Sequence, residues 1–311
     1  MIKKLIPLYL LLVFMGCHKD KGTQSPKFER LNTNTTETLT DVSFINKNQG
    51  IISGSFGYLA KTDDGGKTWQ KLDVGINHSF MSAYMLDAQD FYTARIGIYK
   101  TTDAGAHFNE CANLSDYSNS IFGIHFYNTQ VGLLVKGNVV LKTTDGGNNW
   151  AVKYDQAEYL SHLQITSSNV GYISGGITYD GVSAGEMHKT EDGGETWKSI
   201  LHTNSEITAM YFINGNTGYY ADVTKEWFKT TDGGKNWVKK ADLSFTPLSV
   251  YFIDENTGYY TTYEGKIFKT ENGGLNWAVV YEETNEPIVK IIGTQQAIYA
   301  VGNNGLFLRK N

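Results

Sequence analysis

One nine-residue segment returns again and again along this 311-residue chain, and it limits the possible folds more than any other feature. Lys-Thr-Asp-Asp-Gly-Gly-Lys-Thr-Trp at 61–69 recurs at 142–150, 189–197, 229–237 and 269–277, with a degraded copy at 100–108 that ends in His107-Phe108. The acid position falls on Asp64, Asp103, Asp145, Asp192, Asp232 and, as an amide, Asn272, at spacings of 39, 42, 47, 40 and 40 residues. A period near forty suits a module of four short strands. Such a module cannot bury its apolar faces alone and must stack on copies of itself.

A second repeat lies about twenty residues before each acid position and reads apolar-x-apolar, the two-residue period of a strand. Its copies are Val42/Phe44, Ala83/Met85, Ile124/Phe126, Leu163/Ile165, Met210/Phe212, Val250/Phe252 and Val289/Ile291. Turn residues and a Gly-aromatic step follow, as in Gly218-Tyr219 and Gly258-Tyr259. Each unit therefore reads as strand A (apolar-x-apolar), B (from Gly-Tyr), C (ending at Lys-Thr) and D (from the Trp).

Seven strands A stand against six boxes. Residues 288–310 supply A, B and C of a last unit, while Phe28-Glu29-Arg30-Leu31 resembles a strand D with no unit before it. Joining the two closes a ring and removes the exposed sheet edges of an open array. The fold class is all-β: a seven-bladed β-propeller of four-stranded antiparallel blades, closed by the N-terminal strand. In each box the acid is expected to accept hydrogen bonds within a turn. The paired glycines allow positive φ. Trp69, Trp150, Trp197, Trp237 and Trp277 are expected to pack between blades. Six near-identical sites on one chain argue for a structural role.

The first 26 residues read differently. Lys3 and Lys4 precede an apolar run, Leu5 to Met15, too short to span a bilayer as a helix and suited to a signal peptide. It ends in Gly16-Cys17, which resembles a bacterial lipobox. The expected organisation is a lipoprotein signal peptide at 1–16, lipidation of Cys17, a tether at 17–26 and the propeller at 27–311. The Lys-acid pair after Cys17 resembles a surface-export signal, pointing to the outer membrane or cell surface. With Cys17 lipidated, Cys111 is a lone free thiol.

The boxes resemble those of the Asp-box (BNR) repeat propellers, and among them those of the photosystem II stability and assembly factor family and its non-photosynthetic lipoprotein relatives. That resemblance covers residues 27–311 and implies a role in the assembly or stability of a membrane complex. In photosynthetic members it also implies an arginine-rich binding patch, for which this chain, with only Arg30, Arg95 and Arg309, lacks the residues.

Strand direction puts the A–B turns and boxes on one face and the B–C and D–A loops on the other. The second face varies from blade to blade and is the expected binding face. Its candidate contacts are Tyr58, Phe80, Arg95, Tyr117, Tyr159, Tyr179, Asp180, Asp222, Tyr263 and Glu264, aromatics giving contact area at low entropic cost. The insert from Gly175 to Glu186 accounts for the 47-residue spacing and reads as a mobile loop.

Several activities are disfavoured. The net charge is −5 and no basic stripe exists, so no nucleic-acid partner is expected. A sialidase needs three convergent arginines, whereas two of the three here fall in blade seven. The seven histidines form no metal-binding pair, His125 alternates with apolar residues as a core histidine does, and no metal or cofactor is expected. The alternative to a scaffold is a glycoside hydrolase or lyase using two carboxylates from Asp116, Glu158, Asp180, Glu206, Asp222, Glu264 and Glu286. The expected function is a non-catalytic, monomeric scaffold binding a protein or glycan at the cell envelope, anchored to the membrane through Cys17.

Overall fold

A computed structural model describes residues 27–114, 120–155, 159–179 and 182–311. Seven sheets of four antiparallel strands form the ring, six of them ordered A-B-C-D as in the chain and the seventh taking its strand D from the N-terminus. Blade one runs Leu39–Phe44, Gly50–Gly54, Leu59–Thr62 and Gln70–Lys71. In blade seven, Ile288–Gly293, Ile298–Gly302 and Phe307–Lys310 are completed by Glu29–Leu31, which pairs Glu29 with Arg309 and Leu31 with Phe307. The N-terminal strand is thus the last strand of the last blade. Phe28 anchors it, buried against Tyr259 and Tyr281. Beyond the strand, Thr33 Oγ1 donates to the Gly305 carbonyl at 2.8 Å and Tyr58 Oη donates to the Thr33 carbonyl at 3.0 Å.

The Gly-Tyr step explains how blades interlock. The aromatic that ends strand A lies across the glycine that opens strand B of its own blade: a Cβ on Gly218 would stand 2.4 Å from the Phe212 ring, and one on Gly258 would stand 2.5 Å from that of Phe252. The same strand-A ring stacks on the strand-B tyrosine of the preceding blade. Phe44–Tyr299, Phe126–Tyr92, Phe212–Tyr172 and Phe252–Tyr219 have centroids 3.8, 3.8, 3.4 and 3.9 Å apart with planes within 8° of parallel. The tyrosine then reaches the A–B turn of the next blade: Tyr172 Oη donates to Gly215 O, Tyr219 Oη to Glu255 O and Tyr299 Oη to Lys47 O, at 2.8–2.9 Å.

Strands A line the axis. Their inner edges would expose unpaired backbone groups to the channel, and the preceding blade's side chains satisfy several of them. Asp41 accepts from Ala83 N at 2.9 Å, Ser43 Oγ from Met85 N at 3.0 Å and Ser249 Oγ from Ile291 N at 3.1 Å. Tyr84 donates to Phe126 O at 2.8 Å, and the Gln164 amide bonds both N and O of Phe212.

Three expectations change here. In blade seven the strand-A register is shifted by two: Ile291 occupies the place of Val42, and Gly293 that of Phe44, where the pattern had proposed Val289 and Ile291. The Gly175–Glu186 insert is no free loop, because strands Gly171–Tyr179 and Val182–Thr190 pair along their whole length, through Tyr179 opposite Val182. His125 is not sealed in a core. It is half-buried on the channel wall between the rings of Tyr84 and Tyr127, and burial holds its pKa down at about 4.

Candidate functional site

The boxes are the most repeated polar arrangement in the molecule. In blade one Thr62 Oγ1 donates to Asp64 Oδ1 at 2.8 Å and accepts from Gly66 N at 2.9 Å. Asp64 in turn accepts from Thr68 N at 2.9 Å and from Thr68 Oγ1 at 2.6 Å. Gly65 and Gly66 take φ of 77° and 86°, and a Cβ on Gly66 would meet the Phe307 ring at 2.2 Å. The turn recurs at Asp145, Asp192 and Asp232, with Asn149, Thr196 and Asn236 in the place of Thr68. These side-chain donors, then the backbone N–H groups of the same residues, hold the three carboxyls at about 2. At Asp64 partial desolvation works the other way, but the donors prevail and its pKa is also about 2. In blade two Ala104 replaces the first glycine yet still adopts φ 59°, and the His107 backbone and ring hold Asp103 low. In blade six Asn272 accepts from Thr270 Oγ1 and Asn276 N.

The box tryptophans are half-buried; Trp69, Trp150, Trp237 and Trp277 make ring contacts with strand A of their own blade and, in two cases, with strand C of the preceding one. Trp69 is edge-on to Phe44 and Phe307, and Trp277 to Phe252 and Trp227. Trp150 donates from Nε1 to Gly147 O at 2.8 Å. The box carboxylates are therefore committed to local donors, which leaves them unsuited to proton transfer.

The B–C/D–A face divides the residues proposed from sequence. Tyr58, Phe80 and Asp222 are 6%, 0% and 2% exposed and are not contact residues as they stand. Tyr58 ties down the N-terminal segment, Phe80 packs under Tyr99, and Asp222 caps a turn through Thr224 N, Thr224 Oγ1 and Glu226 N. Arg95 and Tyr159 are half-buried, the latter edge-on to Phe122. Tyr263 and Glu264 are exposed. Tyr117 and Asp180 lie outside the described residues, as do Cys17, Asp116, Glu158 and the side chain of Tyr179. Of the remaining acids, Glu206 and Glu286 are half-buried in the D–A loops of blades five and seven.

Two further exposed residues stand in the B–C loops of this face. Phe56 is 75% exposed because it adopts φ 52° within the short turn Ser55–Gly57, which turns its ring outward while Tyr58 turns in. Ile96, beside Arg95, is 45% exposed. The signal was Gly57, whose own φ of 73° marks a tight reversal that puts neighbouring aromatics on opposite sides.

At the axis, strands A enclose a channel of about 620 Å³. Its B–C end carries Asp41 and Lys290, 3.8 Å apart, and near them His162, held at about 4 by burial and then by Lys290. Its box end is ringed by Tyr84, His125, Tyr211 and Tyr251 and continues into a groove of about 1070 Å³ across blades six and seven. Among the described residues no three His, Cys, Asp or Glu side chains are disposed to hold a metal ion.

Against known proteins, the family described as "Photosynthesis system II assembly factor YCF48" matches residues 21–108 and 165–309. The chain is 26% identical over 219 residues to the photosystem II assembly lipoprotein Ycf48 of Synechococcus sp. (strain CC9902), covering 66% of this chain and 62% of that protein. It is also 26% identical over 156 residues to the one from Nostoc sp. (strain PCC 7120 / SAG 25.82 / UTEX 2576), covering 48% and 46%. The matches thus span about half to three fifths of those relatives. A solved structure titled "YCF48 bound to D1 peptide" superposes with a TM-score of 0.76 at 20% identity, covering 91% of this chain and 96% of that one, a likeness of fold.

Proposed function

This chain belongs to the photosystem II assembly factor family, and we propose that it is a non-catalytic scaffold that holds a protein partner at the cell envelope. The observation that carries this reading is how the polar groups are used. Box carboxylates and Asp222 are bound to neighbouring donors, while the exposed aromatics Phe56 and Tyr263 stand on the variable B–C/D–A face. A face of exposed aromatics beside polar rims is the composition of an interaction surface. That a structure of one family member carries a D1 peptide supports a protein as the class of partner. The photosystem itself does not transfer to this chain. Arg30 bonds the Asn304 carbonyl and Arg309 that of Gly65, so two of the three arginines are tied to the ring closure.

Membrane attachment is part of the same proposal. Curated relatives are named assembly lipoproteins, and Gly16-Cys17 here has the residues for acylation, with 17–26 as tether and the outer membrane or cell surface as destination. The chain acts as a monomer.

The test has two arms. Radiolabelled palmitate should be incorporated by the wild type and not by Cys17→Ala. A photo-crosslinking residue at position 263 or 56 should capture a protein from membranes, while a panel of glycoside hydrolase and lyase substrates stays unconverted. Turnover lost in Glu264→Gln would make the chain an enzyme and end the scaffold reading.

A further inference from the structure

The chain contains three Asn-Gly steps, Asn214-Gly215, Asn272-Gly273 and Asn304-Gly305. Such a step is chemically labile, because no side chain on the glycine blocks its nitrogen from reaching the preceding side-chain amide. The fold treats the three differently. Gly273 N donates to Asn256 O and Gly305 N to Glu37 O, each at 2.9 Å, and both glycines are buried. Gly215 is half-buried in the A–B turn of blade five, and Asn214 beside it is exposed. Among the described residues the Gly215 N–H has no hydrogen-bond partner.

The Asn214 amide is also held for attack. Its Oδ1 accepts from Asn216 N at 2.8 Å and from Thr217 N at 2.9 Å, which folds the side chain back over the Gly215 peptide. Two other A–B turns share this arrangement. Asn46 accepts from Asn48 N and Gln49 N, and Asn128 from Gln130 N and Val131 N. There the next residue is Lys47 or Thr129, whose side chain shields its nitrogen. Blade five joins a folded-back amide to a nitrogen that is neither shielded nor bonded.

We propose that Asn214 is a modification site that converts in the folded protein, with water as the only reactant, to aspartate and isoaspartate. Gly215 N passes its proton to solvent and bonds to Asn214 Cγ. The Cγ–Oδ1 π electrons move onto Oδ1, where the Asn216 and Thr217 N–H groups meet the developing charge. They return as the Cγ–Nδ2 bond breaks and that nitrogen, protonated by solvent, leaves as ammonia. Water then opens the cyclic imide. Cleavage of the new N–Cγ bond gives Asp, and cleavage of the original peptide bond gives isoaspartate, whose main chain runs through Cγ.

The two products act differently on the fold. Asp254 holds the same place in the turn of blade six and accepts from Asn256 N and Thr257 N, so an acid is accommodated there. Isoaspartate adds a main-chain carbon just before two carbonyls already in use. Gly215 O accepts from Tyr172 Oη of the preceding blade at 2.9 Å, and Asn216 O from Gly233 N at 2.8 Å. Aspartate thus adds a negative charge, whereas isoaspartate loosens blade five from blade four.

Incubation of the full chain in mildly alkaline buffer, with peptides mapped by mass spectrometry and isoaspartate resolved by electron-transfer fragmentation, tests this. Residue 214 should convert at least about tenfold faster than Asn46, Asn128, Asn272 or Asn304. In urea the three Asn-Gly steps should converge, since only the fold separates them. Gly215→Ala should slow conversion about tenfold and still fold, because Gly215 has no positive φ and a Cβ there meets only Val170 Cγ1, at 3.7 Å. Asn214→Asp should keep the wild-type urea midpoint, while the isoaspartate fraction unfolds at lower urea. Asn214 left intact, equal reaction of the three steps in the folded chain, or a Gly215→Ala variant that reacts as fast as the wild type would each overturn the proposal.

Discussion

The blade interlock makes a prediction with an unusual sign. Gly218 does not adopt a positive φ, so an alanine there suffers no backbone strain, and its Cβ meets one obstacle, the Phe212 ring at 2.4 Å. That ring cannot retreat, since Tyr172 stacks on it at 3.4 Å and Trp237 stands edge-on at 5.9 Å. Gly218→Ala should therefore cost about 1–3 kcal/mol, the range for overpacking a filled core. Phe212→Ala alone should cost about 3–5 kcal/mol, as Phe212 is 1% exposed. In the double variant the obstacle is gone. Gly218→Ala should then be neutral or stabilise by up to about 1 kcal/mol, because alanine narrows the unfolded ensemble. Urea unfolding of the four proteins, followed by tryptophan fluorescence, reads the cycle. If Gly218→Ala costs the same with and without the Phe212 ring, the glycine is not there to make room for the ring.

Three other outcomes follow from the same geometry. The box carboxylates have folded pKa values of about 2 against an ordinary value of 3.8, so their contribution is fully present above about pH 4 and is lost as pH falls through 2. Acid titration should show unfolding in that window, and Thr196→Val should move its onset to higher pH. Phe56→Ser and Tyr263→Ser should leave the urea midpoint nearly unchanged, within about 0.5 kcal/mol, while Phe80→Ala on the same face should cost about 3–5 kcal/mol. In blade six, Asn272→Asp should raise stability slightly in thermal melts at pH 7, since a second carboxylate oxygen would accept from the Asn276 amide as Asp232 does from Asn236.

The ring was legible because its determinants are local and repeated. The boxes, the Gly-Tyr steps and the alternating strands A each state a short-range rule, and seven copies average out exceptions. Even the closing strand at Glu29–Leu31 could be placed by its likeness to a strand D. The surface was less legible, because exposure depends on single backbone angles and on which loop lies over which ring. Phe56 and Tyr58 are two residues apart in one loop, and only the left-handed turn at Phe56 decides which of them faces solvent. Phe80 sits in a D–A loop, but its N–H bonds the Gly54 carbonyl and the ring is drawn under the blade. The box-face groove could not be read at all. Its wall combines Tyr211, Tyr251, Ile45 and Lys310, residues up to 265 positions apart that only closure of the ring brings together.

Closure itself is open to direct measurement. Glu29 and Arg309 are paired across the seam, and cross-strand partners have Cα separations of about 4.5–5.5 Å, within disulfide reach. In a soluble chain of residues 18–311 with Cys111→Ser, the pair Glu29→Cys and Arg309→Cys should oxidise spontaneously. Locking the seam should stabilise the fold by about 2–4 kcal/mol, raising the melting temperature by at least about 4 °C over the reduced form in one transition. Thiols that stay free, or a disulfide that leaves the melting temperature where it was, would mean that residues 29–31 do not close the ring.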